Sequence, residues 1–449
     1  MFAAVAFVFL ASLCIKSSHY DYDVTKDYRY SFAKTPQRQQ VAIMHGKIRV
    51  QNVPDRNSTV FLVVDTRSTL AGKLLEPTVE IIAGGQRLVT TLERGAEGKR
   101  YLNISALQLN RGDTIEIIPH YLTLKKEAQF IAFANPELKS KRILVIAPHP
   151  DDAEIAAFAL YRAFHDKSYV LTVTAGDFGP PNNYRFLEPD PQRAYLLKSK
   201  LRIFNSITTP LVGGVPPQRC LNLGYFDGTL RNMFRKREKP FSSRGTGITD
   251  RSIYTSGNLS PLAKSLTRTA TWNNLVQDMQ RVIEEIRPDI IVAPSPFIDA
   301  HPDHQYSTVA VMEALEKTEL KKGKMLLYTN HLILSEMFPY GDRGETYSLP
   351  PAFDTRTLYD SVYSYNLTTE AQQIKTLTLD TMNDLRNNTH MRNDFYMVKT
   401  ALKRFLKVRL LGLNDESYFR RAVRKNELFF VIDYEKAALL RKLFLQSDS

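Results

Sequence analysis

The sequence predicts a layered α/β domain with a mostly parallel sheet, preceded by a small all-β, sandwich-like domain. Two rhythms carry that prediction. Between Val41 and Phe133, short alternating or β-branched runs succeed one another with turn signals between them. Beyond Asn135-Pro136, continuous apolar runs alternate with runs of helical spacing. An alternating strand suits a sheet with one face in water, whereas a continuously apolar strand suits a parallel sheet covered on both faces.

Residues 1–16 come first. Met1 to Ile15 reads MFAAVAFVFLASLCI and Lys16 follows. The run is shorter than the roughly 20 apolar residues a membrane-spanning helix needs, and it fits the apolar core of a signal peptide or a membrane or lipid anchor. LASLC has the look of a lipoprotein cleavage box with Cys14 as the modified residue, although Leu13 stands where a small residue is preferred. An exported or membrane-associated chain is therefore expected, in the periplasm or cell envelope if bacterial. Residues 17–40 are polar and Tyr-rich and read as a linker. Residues 41–134 hold the runs VAIMHGKIRV, STVFLVVDT, TVEIIAG, QRLVTTLE, RYLNISAL and DTIEIIPHYLTL, with turns at Pro54-Asp55, Gly84-Gly85 and Arg111-Gly112-Asp113. No catalytic cluster lies in them.

From 135 to 449 the α/β pattern takes over, with its core at 141–332. ILVIAP reads as a buried strand, Asp152 to Phe164 as a helix and YVLTVT as a second strand. Leu275, Met279, Val282 and Ile286 share one helical face before Arg287-Pro288-Asp289 breaks the helix and IIVAP begins a further strand. Residues 228–262 have no clear period and read as a long loop. The C-terminal part holds helical segments and a final strand-like run, LFFVID.

Composition narrows the function. Apolar residues make up 43% and charged residues 24%, an ordinary globular balance. Lys and Arg outnumber Asp and Glu by 60 to 47, but no single basic block dominates and no zinc finger or RNA-binding aromatic signature is present. Nucleic acid is not an expected partner. Two cysteines, Cys14 and Cys220, exclude a Cys-rich metal site.

The chemistry gathers in two short segments. Strand ILVIA runs directly into Pro148-His149-Pro150-Asp151-Asp152-Ala153-Glu154, and IIVAP leads to Asp299-Ala300-His301-Pro302-Asp303-His304. In parallel sheets, functional groups collect beyond the carboxyl ends of strands. A catalytic zinc needs three N or O ligands and an open position, so two His and one Asp provide a set, with other carboxylates and imidazoles left for proton transfer.

HPDDAEI with the downstream RPDIIVAP and HPDH resembles the LmbE-like, PIG-L-type family of zinc-dependent N-acetylglucosaminyl deacetylases. The resemblance spans about 141–332 and implies a Rossmann-like three-layer sandwich. It implies one Zn²⁺ per chain on His149, Asp152 and His304, with Asp151 as general base. It further implies His301 beside the substrate carbonyl, donating a hydrogen bond or proton, and Asp303 as a supporting carboxylate. Asp177 in TAGDFG, Arg193 in DPQRAY and Asp227 in LGYFDG match the family's substrate-binding positions. The chain departs from the family at Ala156-Ala157-Phe158, Leu196 and Ile203-Phe204, none of which is among the ligands or the base. His331 reads as an ordinary strand-end histidine, and the basic runs RNMFRKREK and LKRFLKVR as solvated faces.

The expected activity is removal of acetyl from an N-acetylated sugar or glycoconjugate by metal-activated water. The alternatives are a metal amidase acting on another sugar or secondary-metabolite conjugate, and a non-catalytic glycan-binding protein. The sequence does not fix the oligomeric state.

Overall fold

The computed structural model describes residues 20–448 except 180, 182, 183, 186, 355, 386–393 and 407–416. The apolar stretch containing Cys14, and part of LKRFLKVR, lie outside the described residues. Among those described, no helix is long and apolar enough to cross a membrane. The chain forms two compact units. One comprises Met1–Asn135, His331–Asn366 and Lys403–Leu428; the other comprises Pro136–Asn330, Leu367–Leu402 and Phe429–Ser449.

The first unit contains β1 (Gln37–Ala42), β2 (Lys47–Arg49), β3 (Ser58–Ser68), β4 (Thr78–Ala83), β5 (Gln86–Thr91), β6 (Glu97–Asn103), β7 (Thr114–His120) and β8 (Leu122–Ala134). They make two four-stranded antiparallel sheets, β1-β8-β3-β6 and β2-β7-β4-β5. Alternate residues (Val60, Leu62 and Val64 of β3; Val79 and Ile81 of β4; Ile115 and Ile117 of β7) meet in one buried core. Two runs that read as continuous are each broken by positive φ, at His45-Gly46 and at Tyr121, and at each break the chain passes from one sheet to the other. The stretch read as a linker differs from that reading. Tyr22 and Tyr28 donate to the Glu93 carboxylate, and Arg100 donates to the Val24 and Lys26 carbonyls. These bonds pack residues 20–36 onto the strands.

The second unit is built on β9 (Ile143–Ala147), β10 (Ser168–Thr174), β11 (Cys220–Tyr225), β12 (Ile290–Pro294), β13 (Lys324–Tyr328) and most of β15 (Asn426–Asp433); β14 (Ser361–Asn366) belongs to the first unit. The order is β11-β10-β9-β12-β13-β15; all neighbours are parallel except β13 and β15, which run antiparallel. This is the mixed α/β, mostly parallel sheet that the continuous apolar runs predict. Ile143, Leu144, Val145 and Ile146 are each fully buried, and such a side chain contributes roughly 1.5–3 kcal/mol.

Helices α1 (Asp152–Ala163), α2 (Pro191–Thr208), α3 (Leu230–Arg235), α4 (Trp272–Ile286) and α5 (Pro302–Glu316) supply the rest of the frame. Helix α4 shows how its ends are written: Thr271 accepts from the Asn274 N–H at one end, and Arg287 takes a left-handed conformation at the other. From β9 the chain builds one way through β10 to β11, then returns to add β12 and β13 on the other side. The switch point lies between β9 and β12, the place where open parallel sheets gather functional groups beyond their strand ends.

Candidate active site

Five loops at the carboxyl ends of the five parallel strands supply the site. After β9 come His149, Asp151 and Asp152; after β10, Asp177; after β11, Asp227; after β12, Asp299, His301, Asp303 and His304; after β13, Asn330. His149 and His304 stand on opposite sides of the switch point and meet across it.

Three donor atoms form a near-equilateral triangle. His149 Nδ1 lies 3.2 Å from His304 Nε2 and 3.3 Å from Asp152 Oδ2, and His304 Nε2 lies 3.2 Å from Asp152 Oδ2. A tetrahedral zinc with ligands at about 2.0–2.1 Å separates its donors by roughly 3.3 Å, so the triangle has the size such an ion needs. His149 also belongs to two other groups whose donor atoms lie within 4.8 Å of one another, one with His301 and His304, the other with Asp227 and Asp303.

The outward atoms of the triangle are tied as well. His304 Nδ1 is 3.1 Å from Asp299 Oδ2. His149 Nε2 is 3.2 Å from Asp227 Oδ1 and 3.4 Å from Asp303 Oδ2. Asp152 Oδ1 accepts from Asn330 Nδ2 at 2.7 Å. Such outer partners orient the rings, and they leave His149 Nδ1 and His304 Nε2 facing inward. The Asp303 carboxylate is itself held, accepting from the N–H groups of Gly228 at 2.5 Å and Leu230 at 3.2 Å.

The electrostatics agree with a cation site. Burial alone would lower both imidazoles, but the surrounding carboxylates raise His149 well above its ordinary value and His304 to about 10. Burial likewise opposes ionisation of Asp152, yet the His304 and His149 rings hold its carboxylate well below the usual range. The field that keeps two protons on these rings is also the field that favours a divalent ion in their place.

Asp151 is arranged differently. It stands before the first residue of α1 with φ of 152°, a conformation that L-residues seldom adopt. Burial pushes its carboxyl up to about 6, against the lowering effect of Arg202. His301 caps α5, its Nδ1 accepting from the Asp303 N–H at 3.2 Å. The neutral ring therefore carries its proton on Nε2. Burial and the charges of His149 and His304 push His301 down to about 4, which keeps it neutral.

Residues 144–315 match the family model described as PIG-L: GlcNAc-PI de-N-acetylase. Among solved structures, N,N'-diacetylchitobiose deacetylase from Pyrococcus horikoshii aligns at 15% identity over 67% of this chain and 86% of that one, with a TM-score of 0.36. The 4-carboxy-2-hydroxymuconate hydratase GalB from Pseudomonas putida KT2440 aligns at 14% identity over 65% and 95%, with a TM-score of 0.32. The conserved protein TT1542 from Thermus thermophilus aligns at 14% identity over 65% and 94%, with a TM-score of 0.30. Likenesses this distant say nothing of the chain's own chemistry. No curated protein gives a significant match.

The second unit thus brings together His149, Asp151, Asp152, Asp227, His301, Asp303 and His304. Asp177 lies beside them but is fully buried, its Oδ1 accepting from the Asp227 N–H at 2.8 Å, and burial pushes it up to about 6. It presents no surface to a substrate. Arg193 is exposed in the first turn of α2, where its N–H is capped by Asp190. The arginine at the site is Arg202, further along the same helix. It donates to Asp151 Oδ2 at 3.1 Å and to the Pro150 carbonyl at 3.2 Å, and pairs with Asp384 at 3.1 Å. His331 pairs with Glu336 at 3.3 Å in the first unit.

Four residues were not assigned roles from the sequence: Asp299, Asn330, Arg202 and Asp384. Asp299 opens the segment that ends in His304, and Asn330 follows a strand end, so position alone marked both. Arg202 and Asp384 leave no such trace, because their pairing is tertiary.

Proposed function

We propose that this chain is a zinc-dependent N-deacetylase that hydrolyses the acetamide of an N-acetylated sugar. The observation that carries the reading is the triangle of His149, Asp152 and His304, tied on its outer side and bordered by a carboxylate, Asp151, that is not part of it. A zinc ion held there would supply a Lewis acid that makes water a nucleophile near neutral pH and polarises the amide carbonyl.

The chain's own residues would do the remainder. Asp151, raised towards neutrality by burial, takes a proton from the attacking water and has an acid's proton to return to the departing amine. Arg202 fixes that carboxylate so that one oxygen stays directed. His301 offers its Nε2 proton to the carbonyl oxygen as negative charge grows there. Asp227 and Asp303 hold the His149 ring, and Asp299 holds that of His304. The sugar as substrate is supported by the matched family model, whose description names a GlcNAc derivative.

The test is acetate release from N-acetylated mono- and oligosaccharides by the full chain, with zinc, with a chelator and with zinc restored. Activity lost on chelation and regained with zinc is the expected result. Turnover that survives exhaustive chelation contradicts the metal. Turnover confined to amides without a sugar contradicts the substrate.

A further inference from the structure

Beside the proposed centre lies a cation that the mechanism above does not use. Arg244 belongs to the stretch after Asp227 that had no readable period. Its guanidinium lies over the Phe178 ring, 4.9 Å from the centroid. Phe178 directly follows Asp177, and Gly228, which donates to Asp303, directly follows Asp227. A Cβ placed on Gly228 would stand 3.3 Å from Arg244 Nη1 and 3.7 Å from Phe178 Cδ1. The pair therefore sits against Gly228, the neighbour of Asp227, which touches the His149 ring.

Both sides of the pair are held in place. On the Phe178 side, the buried Lys198 ammonium donates to the carbonyls of Phe178 at 2.5 Å and Gly179 at 3.3 Å. On the Arg244 side, residues 243–248 form a tight turn, with Gly247 N–H bonded to the Ser243 carbonyl at 2.9 Å and Ser243 N–H to the Ile248 carbonyl at 2.8 Å. Gly245 is pressed so close that a Cβ there would stand 2.6 Å from the Tyr195 ring and 2.9 Å from the Asp177 carbonyl oxygen. Phe178 and Arg244 are nevertheless exposed. The nearby carboxylates are committed elsewhere, Asp177 to the Asp227 backbone and Asp227 to His149. Among the described residues no carboxylate lies within ion-pair distance of Arg244.

A guanidinium backed by an aromatic face keeps its edge N–H groups for a planar or tetrahedral anion. We infer that Phe178 and Arg244 form a specificity subsite for an anionic group, a phosphate or a carboxylate, carried by the substrate near its N-acetylated sugar. The inference rests on the deacetylase reading and adds the substrate's charge.

The test compares three substrates with the zinc-loaded full chain: a neutral N-acetylglucosamine disaccharide, the same compound bearing a 6-phosphate, and one bearing a uronic acid in place of the neighbouring sugar. The two charged arms distinguish phosphate from carboxylate. Wild type is expected to favour at least one anionic substrate in kcat/KM by on the order of tenfold, the worth of one charged hydrogen bond. The preference should shrink with added salt, because Arg244 is exposed. R244A should bring the ratio to about one, and R244E should invert it through repulsion. F178A should reduce the ratio, and R268A, which removes an exposed arginine just beyond that stretch, should keep it. Equal rates on all three substrates, or a ratio that survives R244A, would overturn the subsite. If no sugar is turned over, calorimetry with the same compounds on D151N still decides the matter: an anionic preference that R244A removes supports the subsite without the deacetylase, and equal binding of charged and neutral compounds ends it.

Discussion

Each unit buries a polar cluster, and the two differ in their charge balance. In the first unit, Arg100 and Glu93 pair at 3.2 Å with both side chains about fully buried. Arg100 donates to the carbonyls of Val24, Lys26, Glu97 and Lys99, and Glu93 accepts from Tyr22 and Tyr28. One cation meets one carboxylate, and neutral groups complete both. In the second unit, two imidazoles face four carboxylates, those of Asp152, Asp227, Asp299 and Asp303. Even with both rings protonated, negative charge is in excess. The first cluster is balanced by itself and serves stability; the second keeps an excess of negative charge, an environment that would favour a cation.

The largest effect expected is on the base. D151N should lower kcat by on the order of 10²–10⁴ while zinc content stays at the wild-type level, because Asp151 lies outside the ligand triangle. Full activity, or loss of the metal, would each contradict its role. Next, breaking the balanced cluster with R100M leaves the Glu93 charge buried alone and should cost roughly 3–5 kcal/mol in denaturant unfolding. Zinc affinity of the folded protein should not change. A variant as stable as wild type would remove the distinction between the clusters.

Weakening the outer ties of the second cluster should cost less. D299A or N330A frees one ligand's orientation and should reduce zinc affinity by roughly 10–100-fold, read by competition with a chromophoric chelator. An unchanged affinity would mean that these contacts only pack. Smallest is the effect of Arg202 on acid dependence. Asp151 must be ionised to take a proton, so kcat/KM falls as pH drops through its pKa. R202M removes the cation that lowers this pKa and should move the acid limb upward by roughly one unit or more. A limb that stays in place would show that Arg202 does not act on Asp151.

How legible all this was depends on where the information sits in the chain. His149, Asp152 and His304 were readable because each lies within a few residues of a strand end, and strand ends are visible as apolar runs stopping at His-Pro-Asp. Arg202 was not readable. Helical spacing shows which face of α2 is apolar but not which arginine points at a loop 51 residues earlier. Asp384 is further removed, reaching Arg202 from beyond Thr369–Asp380. Residues 20–36 looked like a linker because charged and aromatic side chains follow one another without a period, and only the tertiary fold reveals that Tyr22 and Tyr28 find Glu93. The unreadable stretch 228–262 is likewise held by tertiary bonds, chiefly Arg251, which is buried against Tyr225 and paired with Asp278 at 2.8 Å. Short-range pattern specified the sheet and the candidate ligands; long-range pairing specified the support around them.

His149, Asp152 and His304 are proposed to form a zinc centre. Its most direct test is metal stoichiometry by elemental analysis of the full chain, purified with limiting zinc, for wild type, H149A and H304A. One zinc per wild-type chain is expected, with loss of that zinc in both variants and all three proteins folded by circular dichroism. A wild-type chain that binds no zinc, or a folded H149A protein that keeps it, would contradict the zinc centre.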